Sequence, residues 1–460
     1  MTAPVAGGPR ENWTSRLTFL MASVGFAVGL GNIWRFPYVV GESGGSAFIF
    51  IYLLFAFGIG VPLVMAEWTI GRRSRAASAS GSIRAVADEA GVSRRWGNVG
   101  GIAVLAAFML ITFYTVIAGW TMDYFVLAAS GTFEAIDAVT SQSTFEALLQ
   151  SPGRLAFWHT VVIILTVYIN ARGIHGGIEK AVNLLMPALF LFVIIMVGYA
   201  WAVGDMAAAV RFMLTPDFSR LTADTMLVAL GQAFFSIGIA MAVMITYGSY
   251  LDRSTSIPQN AFIVVGADTL VACLAGFAIF PLVFQHGLAP DTGTGLVFQT
   301  LPIAFGDLPG GQVFGSIFFL LLIAAAVTSC IGIFAPVVSW TEERFGLSHS
   351  RASLLAGLVA WVTGFASILS FNWLSDFYPL AFLPGFNPEP SYDSVDFIMA
   401  NVLLPVGALL TAIFIGWRVG ATITRDEMGL SDGAFRVWQF LIRFVVPIAV
   451  GFIFVNGITA

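Results

Sequence analysis

Four ionisable side chains lie deep within stretches of the chain that are otherwise apolar: Arg35, Glu67, Asp123 and Asp268. Charged groups are costly in such surroundings, so these four are candidates for function. Neutral side-chain oxygens occur in similar stretches, at Asn32, Ser236, Thr328 and Ser329. Such oxygens, together with backbone carbonyls freed where a helix unwinds, suit a hard alkali cation that has lost its water. A hydroxyl inside a helix also commonly bonds to a carbonyl of its own helix, so one hydroxyl alone indicates little.

Other kinds of chemistry find less support. The histidines at 159, 175, 286 and 349 show no metal-ligand spacing, and no nucleophile motif is found, so we expect no enzyme activity. Cys273 and Cys330 both lie in apolar stretches, which favours buried packing thiols over a disulfide. The net charge is only -5 and no basic stripe carries interleaved aromatic residues, which argues against nucleic acid as a partner.

The elements that must position these groups are membrane-spanning helices. The chain has 460 residues, of which 58% are hydrophobic and 10% charged, whereas soluble domains carry roughly 25% charge. A helix crosses the lipid bilayer with about 20 apolar residues. We predict eleven spans, near residues 14–38, 43–71, 98–129, 157–170, 180–203, 225–250, 259–284, 313–342, 352–371, 393–418 and 437–457.

The distribution of basic residues predicts the orientation. The first thirteen residues are polar and lack the apolar core of a signal peptide, which places the N-terminus in the cytoplasm. With that topology, 17 of the 21 Lys and Arg residues fall in cytoplasmic segments. We therefore expect a multi-pass protein of the plasma (inner) membrane with its C-terminus outside. The long loop 285–312 has an apolar segment at 295–305 flanked by prolines, which predicts an extracellular hairpin.

Two spans carry helix-breaking signals at matching positions. The first contains Gly25, Gly29 and Gly31, and the sixth, five spans later, contains Gly231 and Gly238. Broken helices at corresponding positions of two halves are typical of transporters built from inverted repeats. Glycines also allow close packing of helices, but a cluster that includes an asparagine and an arginine favours a break.

A longer motif runs through these residues. Trp13 is followed by GFAVGLGNIWRFPY at 25–38, by Glu42 and by Gly44-Gly45. Further motifs are EW at 67–68, GR at 71–72, GQAFFS at 231–236, TYGSY at 246–250 and TS at 328–329. Over nearly its whole length the chain resembles the neurotransmitter:sodium symporter family, and with eleven spans it looks like the shorter bacterial members.

This resemblance implies an all-α membrane protein with the LeuT fold, a five-plus-five inverted repeat whose first and sixth helices are broken. We expect one transporter domain over 1–460, with repeats at 14–203 and 225–418 and an additional helix at 437–457. The implied function is sodium-coupled symport of an amino acid or amine by alternating access. A rival of another class is a sodium-permeable channel in which the same oxygens form a filter, and substrate-independent current would favour it.

Carried over position by position, the resemblance implies two sodium sites. The first would use the substrate carboxylate together with Ala27, Asn32, Ser236 and Asp268. The second would use Gly25, Val28, Ala325, Thr328 and Ser329. Carbonyls at broken helix ends carry partial negative charge and amides at half-helix starts carry positive charge, so one zwitterion and two cations can share the cavity.

The same positions imply a substrate site with a lid of Tyr114 and Phe235. Its lining would be Ala27, Gly29, Leu30, Gly31, Leu110, Tyr114, Phe235, Ser236, Gly238, Met241, Ser329 and Ile333. Arg35 with Asp396 resembles an outer gate, and Arg10 with Glu343 an inner one. Supporting roles are implied for Glu67, Tyr52, Gln232 and Tyr250. Glu67 is expected to accept hydrogen bonds from amides of the sixth helix's break, and the alternative is a structural acid with no part in transport.

The substrate is expected to be an amino acid with its own carboxylate. Monoamine-carrying members have an aspartate at the position of Gly29, where glycine leaves room for a carboxylate. Gly238 replaces a serine of leucine-type bacterial members, and we expect it to leave extra volume, which favours a hydrophobic or aromatic side chain. A small or β-amino acid such as taurine or alanine is the alternative.

No chloride requirement is expected, because chloride-dependent members have asparagine at the position of Asp268 and serine at that of Ala272. Tyr52, Gln232 and Ser236 are expected to donate to Asp268 instead of to a halide. In a dry site this carboxylate would tend to take up a proton once sodium leaves. Proton counter-transport on the return step is therefore expected as well.

Overall fold

The computed structural model describes residues 12–215, 217–291, 293, 295–382 and 389–459. Within this part of the chain the regular structure is helical, without a β-strand. The predicted all-α fold class is confirmed.

The described residues of the first half form nine helices. They are α1 (Arg16–Ala27), α2 (Gly31–Glu42), α3 (Ser46–Ser74), α4 (Ala79–Glu89), α5 (Arg94–Ala129), α6 (Ala138–Leu149), α7 (Pro152–Asn170), α8 (Ile174–Val203) and α9 (Met206–Leu214). The described residues of the second half form nine more, apart from the short helical segments Phe218–Arg220 and Leu296–Thr300. They are α10 (Ala223–Ile237), α11 (Val243–Gly248), α12 (Ile257–Gln285), α13 (Leu301–Asp307), α14 (Gly311–Phe345), α15 (His349–Ser370), α16 (Ser391–Arg418), α17 (Ala421–Met428) and α18 (Asp432–Gly457).

Two of the predicted spans are interrupted. In the described residues, nine helices are long and apolar enough to cross a membrane, or ten if α1 and α2, bent by 49°, form one span. The predicted span at 225–250 consists of α10 and α11, separated by non-helical residues 238–242. Neither piece is long enough to cross alone, so the count of eleven stays a prediction.

The long α5 and α14 form the centre of the bundle. Of the most apolar stretch of α14, 83% is buried inside the protein, and of α5 72%, against only 17% for α18 at the periphery. Of the broken helices, α1 and α11 both pack against the enclosed α14. Cys330 is buried in α14 and Cys273 is half-buried in α12, and both are free thiols, as expected.

The segment predicted as an extracellular hairpin is helical and packed into the bundle. Leu296–Thr300 leads directly into α13. The Phe298 ring, with no exposed surface, stacks on Phe145 with ring centres 5.5 Å apart and contacts Trp120 and Tyr124 edge-on. Aromatic packing of this kind fixes the segment as part of the scaffold.

Asp123, a candidate for function in the sequence, has a structural role. Both of its carboxylate oxygens accept hydrogen bonds from Arg154, at 2.5 Å each, and Oδ1 also accepts the Trp158 Nε1–H at 2.8 Å. The ion pair compensates the buried charge and ties α5 to the start of α7. No part of this contact belongs to the broken helices.

Candidate functional site

At the first break, two backbone amides donate hydrogen bonds to side chains. Helix α1 ends where Val28 N–H donates to Val24 O at 2.7 Å. The next two amides then bond to side chains: Gly29 N–H donates to Asn32 Oδ1 and Leu30 N–H to Tyr114 OH, each at 3.0 Å. Amides at a helix start are free of intrahelical partners, so these two face polar groups of the site.

The second break contains three residues in left-handed backbone conformation. Gly238, Ala240 and Ala242 have φ angles of +73°, +63° and +60°. This conformation is costly for alanine and is often found at functional positions. Glu67 Oε1 accepts the Ala240 N–H at 2.8 Å, which is the contact predicted for this residue. Whether Glu67 takes part in transport stays a prediction.

A polar cluster joins the two breaks to α12. Asn32 Nδ2 donates to Asp268 Oδ1 at 2.7 Å, to the Asp268 carbonyl at 3.0 Å and to Ser236 Oγ at 3.0 Å. Ser236 Oγ in turn donates to Asp268 Oδ2 at 2.8 Å. Asn32 and Asp268 have no exposed surface. Three oxygens, one of them from a carboxylate, therefore surround the Asn32 Nδ2 atom.

These oxygens are the ligand chemistry that a hard monovalent cation requires. The two ends of an amide are nearly equal in size, so turning the Asn32 amide would place its Oδ1 beside the same three oxygens. The Gly29 N–H would then lose Asn32 Oδ1 as its acceptor. Ala27, the fourth predicted residue of this set, is buried at the end of α1. Asn32, Ser236 and Asp268 are thus brought together with oxygens of the kind that sodium prefers, while the sodium role of the four residues stays a prediction.

Two supporting residues differ in how they meet this cluster. Tyr52 OH lies 3.3 Å from Asp268 Oδ2 and 3.5 Å from Ser236 Oγ, where it can donate to the carboxylate as predicted. Gln232 was predicted to do the same, which is wrong: its Nε2 donates to Gly31 O at 3.0 Å. The freed carbonyls of the broken helix compete for donors, and Gly31 O takes this one.

The hydroxyls of the predicted second sodium site have different partners. Thr328 Oγ1 bonds within its own helix, to Ala324 O at 2.9 Å and Ala325 O at 3.0 Å. Ser329 Oγ instead crosses to the first break and donates to Phe26 O at 3.0 Å. Gly25 lies against Thr328, because a Cβ on this glycine would lie 3.5 Å from Thr328 Cβ. The structure places α14 beside the end of α1, while the sodium role of these residues stays a prediction.

A cavity lies between the two breaks. Its lining comprises Phe26, Ala27, Gly29, Gly31, Leu110, Tyr114, Phe235, Ser236, Gly238, Met241, Ser329 and Ile333. Of the residues predicted for the substrate site, only Leu30 is missing from it; this residue meets Tyr114 through its amide. The cavity has a volume of only about 20 Å³, so side chains must move for an amino acid to enter.

Phe26 was missed by the sequence analysis, and it corrects the volume predicted at Gly238. A Cβ on Gly238 would lie 2.2 Å from Phe26 Cζ, and one on Gly332 would lie 2.8 Å from Phe26 Cβ. The Phe26 ring therefore fills the space that we expected Gly238 to leave for substrate. The signal was present in the sequence as a phenylalanine inside the first glycine cluster.

The predicted outer gate is not closed by a direct ion pair. The Arg35 guanidinium lies over the Phe235 ring, with its Cζ 4.5 Å from the ring centre. Asp396 is near enough for its charge to act on Arg35, yet the two side chains form no ion pair within 4.0 Å. Arg35 thus covers an aromatic residue of the cavity, a cation–π contact that the sequence pattern did not indicate.

The predicted inner gate is described only in part, because Arg10 lies outside the described residues. Glu343 accepts hydrogen bonds from the Ser78 hydroxyl and from the Ser78 N–H, the latter at 3.2 Å. It also pairs with Arg84 Nη2 at 3.1 Å. Glu343 therefore fastens the end of α14 to the start of α4.

The chain just before α1 is held by two other elements, and we call residues 13 and 14 the N-terminal anchor. Trp13 Nε1 donates to Tyr247 O at 3.1 Å, and Trp13 N–H donates to Tyr250 O at 3.2 Å. Thr14 donates through its N–H to Glu179 Oε1 at 2.8 Å and through its hydroxyl to Glu179 Oε2 at 2.5 Å. The anchor thus joins α1, α11 and α8, and Tyr250 supports it by its carbonyl.

Comparison with known sequences identifies the family and several relatives of this chain. The model of the sodium:neurotransmitter symporter family matches residues 10–135 and 138–460. An uncharacterized sodium-dependent transporter of Bacillus subtilis (strain 168), YhdH, is 36% identical over 448 residues, covering 96% of this chain and 97% of its own. The sodium-dependent dopamine transporter of Bos taurus is 25% identical, over 99% of this chain and 70% of its own.

Among solved structures, the crystal structure of MhsT in complex with L-phenylalanine is similar throughout. Its TM-score is 0.88 and its sequence is 38% identical, and the match covers 98% of this chain and 100% of MhsT. The likeness confirms the predicted fold, with broken helices at the centre of the bundle.

Proposed function

The chain belongs to the sodium:neurotransmitter symporter family, and on this premise we propose that it is a chloride-independent symporter that uses a sodium gradient to import a hydrophobic or aromatic amino acid. The observation that carries the proposal is the cluster of Asn32, Ser236 and Asp268, in which a buried carboxylate and neutral oxygens meet between two broken helices. A cation bound there would lie beside the cavity and contact a substrate carboxylate. Sodium and substrate would then stabilise each other's binding.

We assign two sodium ions to the carrier. Ala27, Asn32, Ser236 and Asp268 would hold the first, and Gly25, Val28, Ala325, Thr328 and Ser329 the second. The chemistry of both sets supports this assignment, since each set combines oxygens at a helix break with oxygens of α12 or α14. Glu67 would stabilise the second break in all states of the cycle.

The proposed substrate class rests on the cavity and on one relative. The Gly29 and Leu30 amides, which donate to Asn32 Oδ1 and Tyr114 OH in this structure, and the Tyr114 hydroxyl would turn to a substrate carboxylate as donors. Leu110, Met241 and Ile333 provide an apolar wall. MhsT binds L-phenylalanine in its crystal. Because Phe26 occupies the space beside Gly238, room for a large side chain would have to come from movement of Phe26 or Phe235. A small or β-amino acid remains the alternative.

Uptake into proteoliposomes tests the proposal. We expect saturable uptake of L-phenylalanine under an inward sodium gradient and none without it, whereas tyramine, which lacks the carboxylate, should neither be taken up nor compete. Uptake of taurine or alanine alone would favour the alternative substrate class. Sodium current without substrate would favour a channel and overturn the proposal.

Gly29→Ala should weaken amino-acid binding strongly. The added Cβ would lie 2.4 Å from Ser329 Oγ and 2.6 Å from Tyr114 OH, so it would displace two groups of the proposed site. Overpacking of this kind costs about 1–3 kcal/mol, or about 5- to 150-fold in affinity. Gly231→Ala is the matched control, since no atom lies within 4 Å of its Cβ. Equal equilibrium affinities of the two variants for L-phenylalanine would contradict the assignment.

Replacing chloride by gluconate should leave uptake unchanged. Asp268 already supplies the negative charge beside the proposed first sodium ion, held by Asn32, Ser236 and Tyr52. The measurement is initial uptake rate at fixed sodium with chloride or gluconate on both sides of the membrane. Replacing sodium by N-methylglucamine is the control and should stop uptake. A rate that falls with chloride would show that the anion is needed.

Further proposals concern the return step and the membrane. We propose that the empty carrier returns with a proton on Asp268, which would make uptake sensitive to the pH on both sides.

The chain is a multi-pass membrane transporter, and we propose that it lies in the plasma membrane with its N-terminus in the cytoplasm, because most of its basic residues fall in the segments then assigned to the cytoplasm.

A further inference from the structure

An apolar groove on the outer side of the bundle shares no lining residue with the cavity of the proposed substrate. It runs between α5, α14 and α15 and has a volume of about 460 Å³. Its walls include Val104, Phe108, Val337, Trp340, Leu355 and Val359. Leu355 and Val359 are exposed at 39% and 42%, so the groove is open to the surroundings of the bundle.

The walls of this groove offer almost no polar group to a ligand. Thr341 is the only hydroxyl-bearing residue that lines it. Its Oγ1 already donates to Val337 O at 2.8 Å, within α14. In contact with a bilayer, an apolar groove of this size matches a hydrocarbon chain and excludes a polar solute.

Two arginines lie at one end of the groove. Arg351 precedes Leu355 by four residues in α15, and Arg344 follows Trp340 by four residues in α14, so each lies on the same helix face as a wall residue. A turn of three residues joins the two helices, which places both arginines at the same end. Trp340, half-buried, suits the depth of lipid headgroups.

Both arginines are exposed and lack an internal ion-pair partner within 4.0 Å among the described residues. The acidic residues next to them are engaged elsewhere. Glu342 lies 3.2 Å from His349, and Glu343 lies 3.1 Å from Arg84. Two positive charges therefore remain free for an anion at the end of an apolar groove.

We propose that this groove binds an anionic glycerophospholipid, with one acyl chain between α5, α14 and α15 and the phosphate at Arg344 and Arg351. The charges favour a lipid over a second copy of the chain, because two copies meeting here would bring like-charged arginines together. An anionic headgroup matches both the charge and the depth of this end. The lipid would hold α15 against α14 and α5.

Native mass spectrometry of the purified full-length protein tests this proposal, with dioleoyl phosphatidylglycerol and dioleoyl phosphatidylcholine as probes. We expect one phosphatidylglycerol to stay bound at concentrations at which phosphatidylcholine does not. Arg344→Gln with Arg351→Gln should weaken phosphatidylglycerol binding about 25-fold, at about fivefold for each arginine. Arg418→Gln with Arg436→Gln, two exposed arginines elsewhere, is the matched control and should match the wild type.

A second pair of variants tests the groove itself. Gly101 lines it, and a Cβ there would meet only Ser80 Oγ at 3.7 Å, so Gly101→Leu should fill the groove without a backbone clash. Gly198→Leu, at an exposed glycine of α8 with no atom within 4 Å of its Cβ, is the control. We expect Gly101→Leu alone to lose the bound lipid while its far-ultraviolet circular dichroism is unchanged.

Equal retention of both lipids by the wild type, or retention of phosphatidylglycerol by Gly101→Leu, would overturn the proposal. A dimer that disappears in Gly101→Leu, without any lipid adduct, would overturn it in favour of a second copy. Bound lipid is read as a mass difference, so failure of the proposed transport activity would not affect the result.

Discussion

Asp268→Asn is expected to abolish sodium-dependent substrate binding. The carboxylate is fully buried and accepts hydrogen bonds from Asn32, Ser236 and Tyr52. It is the only formal charge of the protein within the proposed first sodium site. Removing one partner of a buried charge pair costs about 3–5 kcal/mol, which is at least about 100-fold in sodium affinity.

The measurement is a sodium titration of L-phenylalanine binding, together with the rise in melting temperature that sodium produces. Asp123→Asn is the matched control, because Asp123 is a buried carboxylate of a spanning helix that pairs with Arg154. It should lower the melting temperature yet leave sodium affinity within about twofold. A chloride series should restore part of the activity of Asp268→Asn and leave that of the wild type unchanged. Unaltered sodium affinity in Asp268→Asn would remove this residue from the site.

The double substitution Thr328→Val with Ser329→Ala should have a comparable effect through the proposed second site. It removes two oxygens from a set of five proposed ligands. Each unmade ligand contact in a dry cavity costs about 1–3 kcal/mol, so sodium affinity should fall by about 30-fold or more. Sodium titration of binding by the purified variant is the measurement.

We expect the two hydroxyls to contribute unequally to sodium affinity, because their hydrogen-bond partners differ. Thr328 Oγ1 bonds to carbonyls of its own helix, while Ser329 Oγ bonds to Phe26 O across the break. Single variants should separate sodium binding from packing between α14 and α1. Ser339→Ala with Thr341→Val, the same chemical changes further along α14, is the control and should bind sodium normally. If the Thr328 and Ser329 variant also binds sodium normally, both hydroxyls are packing groups.

The breaks could be predicted from sequence only as far as glycine marks them. Gly29 and Gly31 mark the first break, and Gly238 begins the second. Ala240 and Ala242 gave no such signal, although both have left-handed backbone. Alanine adopts this conformation only where surrounding contacts enforce it, and here Glu67 from α3 holds the Ala240 amide.

The grouping of Asn32, Ser236 and Asp268 was predicted from the resemblance to the family, and their contacts satisfy the need of buried polar groups for partners. Gln232 and Asp123 had alternatives that no local pattern indicates. Gln232 bonds to a carbonyl exposed by the first break, and Asp123 finds Arg154 on the next long helix. The filling of the space at Gly238 by Phe26 likewise depends on three-dimensional packing.

The N-terminal anchor has a practical consequence for protein engineering. Trp13 bonds to one carbonyl in α11 and to one just after it, and Thr14 bonds to a carboxylate of α8, so the N-terminal anchor links parts of both halves. A purification tag or fluorescent protein joined directly at residue 12 would disturb the hydrogen bonds of this anchor, whereas the same fusion at the far end of α18 would not. Energy transfer between a donor dye next to the anchor and an acceptor dye on α8 would fall when the hydrogen bonds of the anchor break. The transporter would then act as an optical sensor of its own cycle.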